Sequence, residues 1–135
     1  MKKQAVIFWF RRDLRLSDNK GLYNALKSEI PVIPLFIFDK NILDKLDKYD
    51  PRFQFIYQHI KILNNKIKKY GSRVINMHDY PVNVFKTLLR KYDIKSVYVN
   101  RDYEPYSIKR DSDISSFLIQ HGVDFISFKD HVFFE

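Results

Sequence analysis

The chain has no cysteine, only three glycines and no long apolar run. The lack of cysteine removes disulfides, thiolate metal sites and cysteine nucleophiles together, and fits a cytoplasmic location. Gly21, Gly71 and Gly122 stand far apart along the chain. A phosphate-cradling GxGxxG or GxxxxGK(S/T) loop needs two or more glycines within a few residues, so the dinucleotide fingerprint and the P-loop are both excluded. No apolar stretch approaches the roughly 18 residues of a membrane span. Lys2 and Lys3 precede an apolar run, as in a signal peptide, but the run is only Ala5–Phe10 and closes on Arg11 and Arg12 instead of a small-residue cleavage site. It reads as a first strand. His59, His78, His121 and His131 have no partner four residues away and no cysteine company, which argues against a metal centre. A GxSxG nucleophile elbow is also missing.

What is present suits one folded domain. The 135 residues include 12 Phe, 9 Tyr and one Trp, far too many aromatics for a chain that avoids collapse. A chain of this size buries about two-thirds of its unfolded surface, enough for a core without covalent staples. Twenty-four Lys and Arg against 16 Asp and Glu give a net charge of +8, which favours anionic partners. A dedicated nucleic-acid module predicts arginines and aromatics on one face. Here lysines are scattered over several helices, as on a solvated surface.

Short apolar runs alternate with helical patterns. Ala5–Phe10, Val32–Phe38, Arg73–His78, Ser96–Asn100 and Asp124–Phe128 read as strands rich in β-branched and aromatic residues. A first helix is expected around Lys20–Ser28, with Ser17, Asp18 or Asn19 as its cap. In the second, Phe53, Ile56, Ile60, Leu63, Ile67 and Tyr70 recur at intervals of three and four. Asp50 is its N-cap, Pro51 its first residue and Gly71 its stop. A third starts at Pro81 and carries Val82, Phe85, Leu88, Leu89 and Tyr92. The fourth begins near Pro105 and ends before Gly122. This alternation predicts an α/β fold: a five-stranded parallel sheet with helices on both faces, in the order 3-2-1-4-5. That order sets strands 1 and 4 side by side at the reversal of winding, where open α/β sheets bind ligands.

The two densest mixed-charge stretches follow those strands. Arg11-Arg12-Asp13-Leu14-Arg15 comes after strand 1, and Asn100-Arg101-Asp102-Tyr103-Glu104-Pro105-Tyr106 after strand 4, continued by Lys109-Arg110-Asp111. Meeting at one crevice, their guanidinium and carboxylate groups can pair bidentately, holding the loops and an anionic ligand. Arginine neighbours keep Asp102 and Glu104 ionised, which disfavours either as a general acid. Residue chemistry alone thus points to a binding or docking domain. A free-standing α/β nucleotide-binding module of the stress-protein type would need the glycine loop that is missing.

Three motifs, WFRRDLRLSDN (Trp9–Asn19), PRFQF (Pro51–Phe55) and NRDYEPYSIKRD (Asn100–Asp111), in this order and at these separations, resemble the N-terminal α/β domain of the DNA photolyase/cryptochrome family. The resemblance spans nearly the whole chain. It implies a Rossmann-like domain joined to a larger helical domain that binds FAD and receives UV-damaged DNA. In photolyases, light-excited reduced FAD donates an electron to a cyclobutane pyrimidine dimer, which splits and returns it. Cryptochromes use the same architecture for signalling. The resemblance further implies that residues 1–135 are an excised α/β fragment. The parent is then a deoxyribodipyrimidine photo-lyase, while the fragment holds no FAD and no catalytic residue. An antenna pigment, a deazaflavin or flavin, would lie at the carboxyl ends of the strands. Matching positions are Arg11, Phe36, Phe38, Asp39, Arg52, Phe55, Asp102 and Glu104. Folate-binding members carry an Asn-Glu pair where this chain has Tyr106-Ser107, so folate is not expected. With the partner domain absent, residues 131–135 are expected to be apolar and exposed.

Overall fold

The runs Ala5–Phe10 and Val32–Phe38 are apolar because they are covered from both sides. The computed structural model describes residues 1–47 and 49–129. It shows β1 (Lys3–Phe10), α1 (Lys20–Lys27), β2 (Val32–Asp39), α2 (Lys40–Leu43), α3 (Pro51–Ile67), β3 (Ile75–Asp79), α4 (Pro81–Lys91), β4 (Tyr92–Asn100), α5 (Pro105–Gln120) and β5 (Asp124–Phe128). All pairings are parallel, in the order β3-β2-β1-β4-β5. The expected strand count, order and winding are therefore those of the molecule. The closing segment 131–135 lies outside the described residues.

Successive residues of the central strands serve opposite layers. Ile7, Trp9, Leu35 and Ile37 pack under α4 and α5 through Val84, Phe85, Leu88, Ile114 and Leu118. Val6, Phe8, Phe10, Phe36 and Phe38 pack under α1 and α3 through Leu22, Ala25, Ile60, Leu63 and Ile67. Each of the Val, Leu, Ile and Phe side chains contributes about 1.5–3 kcal/mol by leaving water. Caps fix where the helices begin. Asn19 accepts from the Leu22 N–H at 3.0 Å, and Asp50 from the Arg52 N–H at 2.9 Å, with Pro51 at the first helical position. A 3-10 turn, Lys68–Tyr70, ends the α3 segment at Gly71, whose φ of 74° suits a residue without Cβ.

Most strand ends fall within two residues of expectation, as where β3 spans Ile75–Asp79 in place of Arg73–His78, and two features differ by more. β4 starts at Tyr92, directly after α4, four residues earlier than the apolar run suggested. Its first half pairs with Lys3–Ala5. The register then shifts between Ala5 and Val6, whose partners are Ile94 and Ser96, so Lys95 is an extra residue. The short α2 was not anticipated at all. Its four residues are too few to show a period, and Asp39 caps it by accepting from the Asn41 N–H at 2.9 Å. Seven lysines scattered in sequence, Lys2, Lys3, Lys27, Lys66, Lys68, Lys69 and Lys91, lie at the end of the sheet where the strands begin. No helix among the described residues is long and apolar enough to cross a membrane.

Candidate functional site

β1 and β4 are neighbours, so the segments following them meet. The backbone N–H of Arg11 donates to Asp13 Oδ1 at 2.7 Å, Arg11 Nη1 to Asp111 Oδ1 at 2.7 Å, and Nη2 to the Asn100 carbonyl at 2.5 Å. Asn100 Nδ2 donates to Asp13 Oδ2 and Asn19 Oδ1, both at 2.6 Å, and its Oδ1 accepts from the Gly21 N–H at 2.8 Å. One buried amide thus ties the first loop, the start of α1 and the end of β4. Burial pushes the Asp13 carboxyl above its ordinary value, against the opposing bonds from the Arg11 N–H and Asn100.

Nearer the surface, Arg12 pairs with Glu104 and lies 4.0 Å from Asp102. Burial raises the Asp102 pKa, but the Glu104 N–H, the Ser107 hydroxyl at 3.0 Å and the Arg12 and Arg11 charges outweigh it and leave the group below its ordinary value. The ionised state expected for Asp102 follows. Across the crevice, Asp39 Oδ2 accepts from the Tyr106 hydroxyl at 2.7 Å and lies 3.9 Å from Arg110 Nη1. Burial and that bond to Asp39 push the Tyr106 phenol up to about 12.

These groups surround an open cavity of 470 Å³ at the carboxyl ends of β1 and β2, within the size range of small-molecule sites. Arg11, Phe36, Phe38, Asp39, Arg52, Asp102 and Glu104 all line it. Arg52 stands at the exposed rim, where its Nε and Nη2 hold Asp50 at 3.0 and 2.6 Å. Those bonds lower the Asp50 pKa to about 2.

Phe55 does not join the cleft. It is 62% exposed and meets the His59 ring edge-on, because it lies on the opposite side of α3 from Phe53 and Ile56, which do line the cavity. Trp9, Tyr106 and Arg110 also line it and were not among the expected contacts. The α5 period held the signal for Arg110. Ser107, Arg110, Ile114 and Leu118 form one buried stripe, polar at the cleft and apolar deeper in.

Two side chains hold unused hydrogen-bonding capacity. The guanidinium groups of Arg11 and Arg110 lie 4.7 and 4.9 Å from the centre of the Trp9 ring. Arg11 Nε and Arg110 Nη2 are buried, and neither has a hydrogen-bond partner among the described residues. Leaving such donors unsatisfied costs about 1–3 kcal/mol each. Both side chains border the cavity, so a ligand oxygen there would find charged donors waiting. Aromatic walls and convergent guanidinium groups fit a flat, electron-rich ring with polar oxygens.

The family model for DNA photolyase matches residues 6–135. The chain belongs to the DNA photolyase family. A deoxyribodipyrimidine photo-lyase of Synechococcus sp. is 32% identical over 94% of this chain and 26% of its own length. Cryptochrome-2 of Gallus gallus is 27% identical over 95% of the chain and 22% of its own. The chain therefore spans about a quarter of the length of these curated relatives. An archaeal photolyase from Sulfolobus tokodaii, solved with two FAD molecules and described as implying a novel light-harvesting cofactor, superposes with a TM-score of 0.81 at 33% identity. That match covers 96% of this chain and 30% of the other. A bacterial class III photolyase from Agrobacterium tumefaciens gives the same score at 28% identity, over 96% of this chain and 26% of its own.

Proposed function

We propose that this chain is the N-terminal α/β domain of a photolyase and that its cleft seats an antenna pigment of the flavin or deazaflavin type. The observation that carries the reading is the pair of buried, acceptor-less donors, Arg11 Nε and Arg110 Nη2, beside a cavity with aromatic walls. Arg110 offers its free N–H groups to a ring carbonyl or phosphate oxygen. Trp9, Phe53 and Ile56 supply wall against which a flat ring packs, with Phe36 and Phe38 at the floor. Asp39, Asp102 and Glu104 keep the arginines in place, and Arg52 guards the rim. A pigment of this class, when bound, would supply absorption of blue light and transfer of the excitation to a catalytic FAD. Tyr106 and Ser107 are engaged with Asp39 and Asp102, which agrees with a site not built for folate.

On this reading the full-length protein splits cyclobutane pyrimidine dimers by electron transfer from reduced FAD. That FAD and the UV-damaged DNA belong to a helical domain that partners this one, and residues 1–135 contribute no catalytic group. The expectation of cytoplasmic action rests on the missing cysteines alone. Repair is preferred to signalling because the Synechococcus and Sulfolobus photolyases, at 32% and 33%, are more nearly identical to the chain than the chicken cryptochrome at 27%. Membership of this family also displaces the stress-protein-type module.

Titrating flavin mononucleotide with the chain tests the reading through flavin fluorescence. Saturable quenching is expected, weakened tenfold or more in Arg110→Met and measurably in Arg52→Ala and Asp102→Ala. No saturable change at millimolar concentration would leave these loops as a docking surface only.

A further inference from the structure

The positive charge of this chain is not spread evenly over the fold. In a parallel sheet every strand begins, and every crossover helix ends, at the pole away from the cleft. Lys27, Lys66, Arg90 and Lys91 close helices there, where the helix dipole favours cations. Lys68 and Lys69, in the 3-10 turn that ends the α3 segment, share that reason, whereas Lys2 and Lys3 at the start of β1 and Arg73 before β3 do not. All nine are exposed, and none is paired with a carboxylate among the described residues. Among the described residues only Glu29, Asp93 and Asp124 stand among these nine, an excess of six positive charges, and Asp93 is already taken by Lys95 at 3.0 Å. At the cleft pole, by contrast, carboxylates such as Asp13, Asp39, Asp50 and Glu104 offset the arginines.

The surface of this pole is concave. A groove of 760 Å³, lined in part by Asn64, Lys68, Ser72 and Arg73, shares Tyr92 with a second of 450 Å³ that includes Lys2 and His121. Tyr70, 81% exposed, adjoins Lys69. Tyr23, 61% exposed, lies beneath the Lys27 ammonium, 5.3 Å from its ring centre.

We propose that this pole is a phosphate-backbone surface for a single nucleic-acid strand, separate from the cleft and from any DNA contact made through a further domain. Unpaired ammonium groups release counterions when they meet phosphates, and exposed tyrosine rings offer faces for bases. The grooves suit a strand better than the flat plane of lipid headgroups. With seven lysines to two arginines, the contact is to backbone charge and not to base edges.

Fluorescence anisotropy of the full chain with a labelled, undamaged 20-nucleotide DNA strand tests this in the dark without flavin, so it is independent of the pigment reading. Binding at 50 mM KCl should weaken more than tenfold by 200 mM. Lys68→Ala/Lys69→Ala/Arg73→Ala should bind at least tenfold more weakly and lower the salt slope by about 2, at ~0.7 per phosphate contact. Lys20→Ala/Lys40→Ala/Lys109→Ala, with the same charge loss at the other pole, should stay within twofold. All three proteins are compared only after matching circular dichroism spectra. Absence of binding at 50 mM, equal weakening in both variants, or attachment to phosphatidylserine vesicles without binding of the strand would each overturn the proposal.

Discussion

Gly21 and Asn100 meet so closely that no side chain fits between them. The Gly21 N–H donates to Asn100 Oδ1 at 2.8 Å, and a Cβ on Gly21 would lie 2.8 Å from that same oxygen and 2.8 Å from Phe8 Cε1. This contact lets α1 start directly against the end of β4. Through Asn100 it also sets Asp13 and the first loop at the crevice.

Gly21→Ala should therefore destabilise the fold, although alanine is the better helix former by about 1 kcal/mol. Overpacking against a buried amide and a fully buried ring costs about 1–3 kcal/mol, which exceeds or cancels that gain. Urea unfolding followed by circular dichroism should show a lower midpoint with an unchanged slope. A clear rise in midpoint would mean the contact is slack.

Tyr106→Phe removes the hydroxyl bond to Asp39 and should cost about 1–2 kcal/mol in the same assay. In ultraviolet titration the wild-type and variant curves should coincide to about pH 11 and separate only as the Tyr106 phenol ionises near 12. Separation near pH 10 would show that Asp39 does not hold that proton.

Asp13 and Asp50 should titrate on opposite sides of the ordinary value of 3.8. Burial lifts Asp13, so its contribution to stability is fully present below pH 3.8 and is lost as pH rises through its folded value. Arg52 depresses Asp50, so its contribution is present above 3.8 and is lost as pH falls toward about 2. Carboxyl ¹³C NMR on acidification should show Asp13 protonating before Asp50. The reverse order would refute the buried assignment of Asp13.

Phe53 and Phe55 separate cleft from surface on one helix. Phe53→Ala should weaken flavin binding severalfold, whereas Phe55→Ala should leave it within experimental scatter, as read by the same fluorescence titration. Equal effects would place the pigment against the outer side of α3.

Much of the architecture could be read from residue types because burial on both faces leaves an unmistakable mark on a strand. Val6, Phe8, Phe10 and their odd-numbered neighbours are all apolar because each layer needs its own set. The early start of β4 was concealed by Tyr92, which continues the helical spacing of Leu88 and Leu89 yet belongs to the strand. Phe55 was misplaced by motif matching although the apolar stripe on α3 already contained Phe53 and Ile56. Arg110 lay within a recognised charged stretch. The α5 spacing marks it as buried, but its partner Trp9 arrives from β1, with its ring centre 4.9 Å away, and that convergence is not written in local spacing. The charge pole was hidden for a similar reason, since residues scattered along the chain are gathered only by parallel topology.

The pigment site is tested most directly by amide and arginine ¹⁵N NMR of the chain with added riboflavin. Shifts are expected only in Trp9–Asp13, Phe36–Leu46, Arg52–Ile56 and Asp102–Arg110, with the Arg11 and Arg110 side-chain Nε–H signals moving together with the backbone of those loops. Shifts spread over the opposite pole, or none at saturating riboflavin, would contradict it.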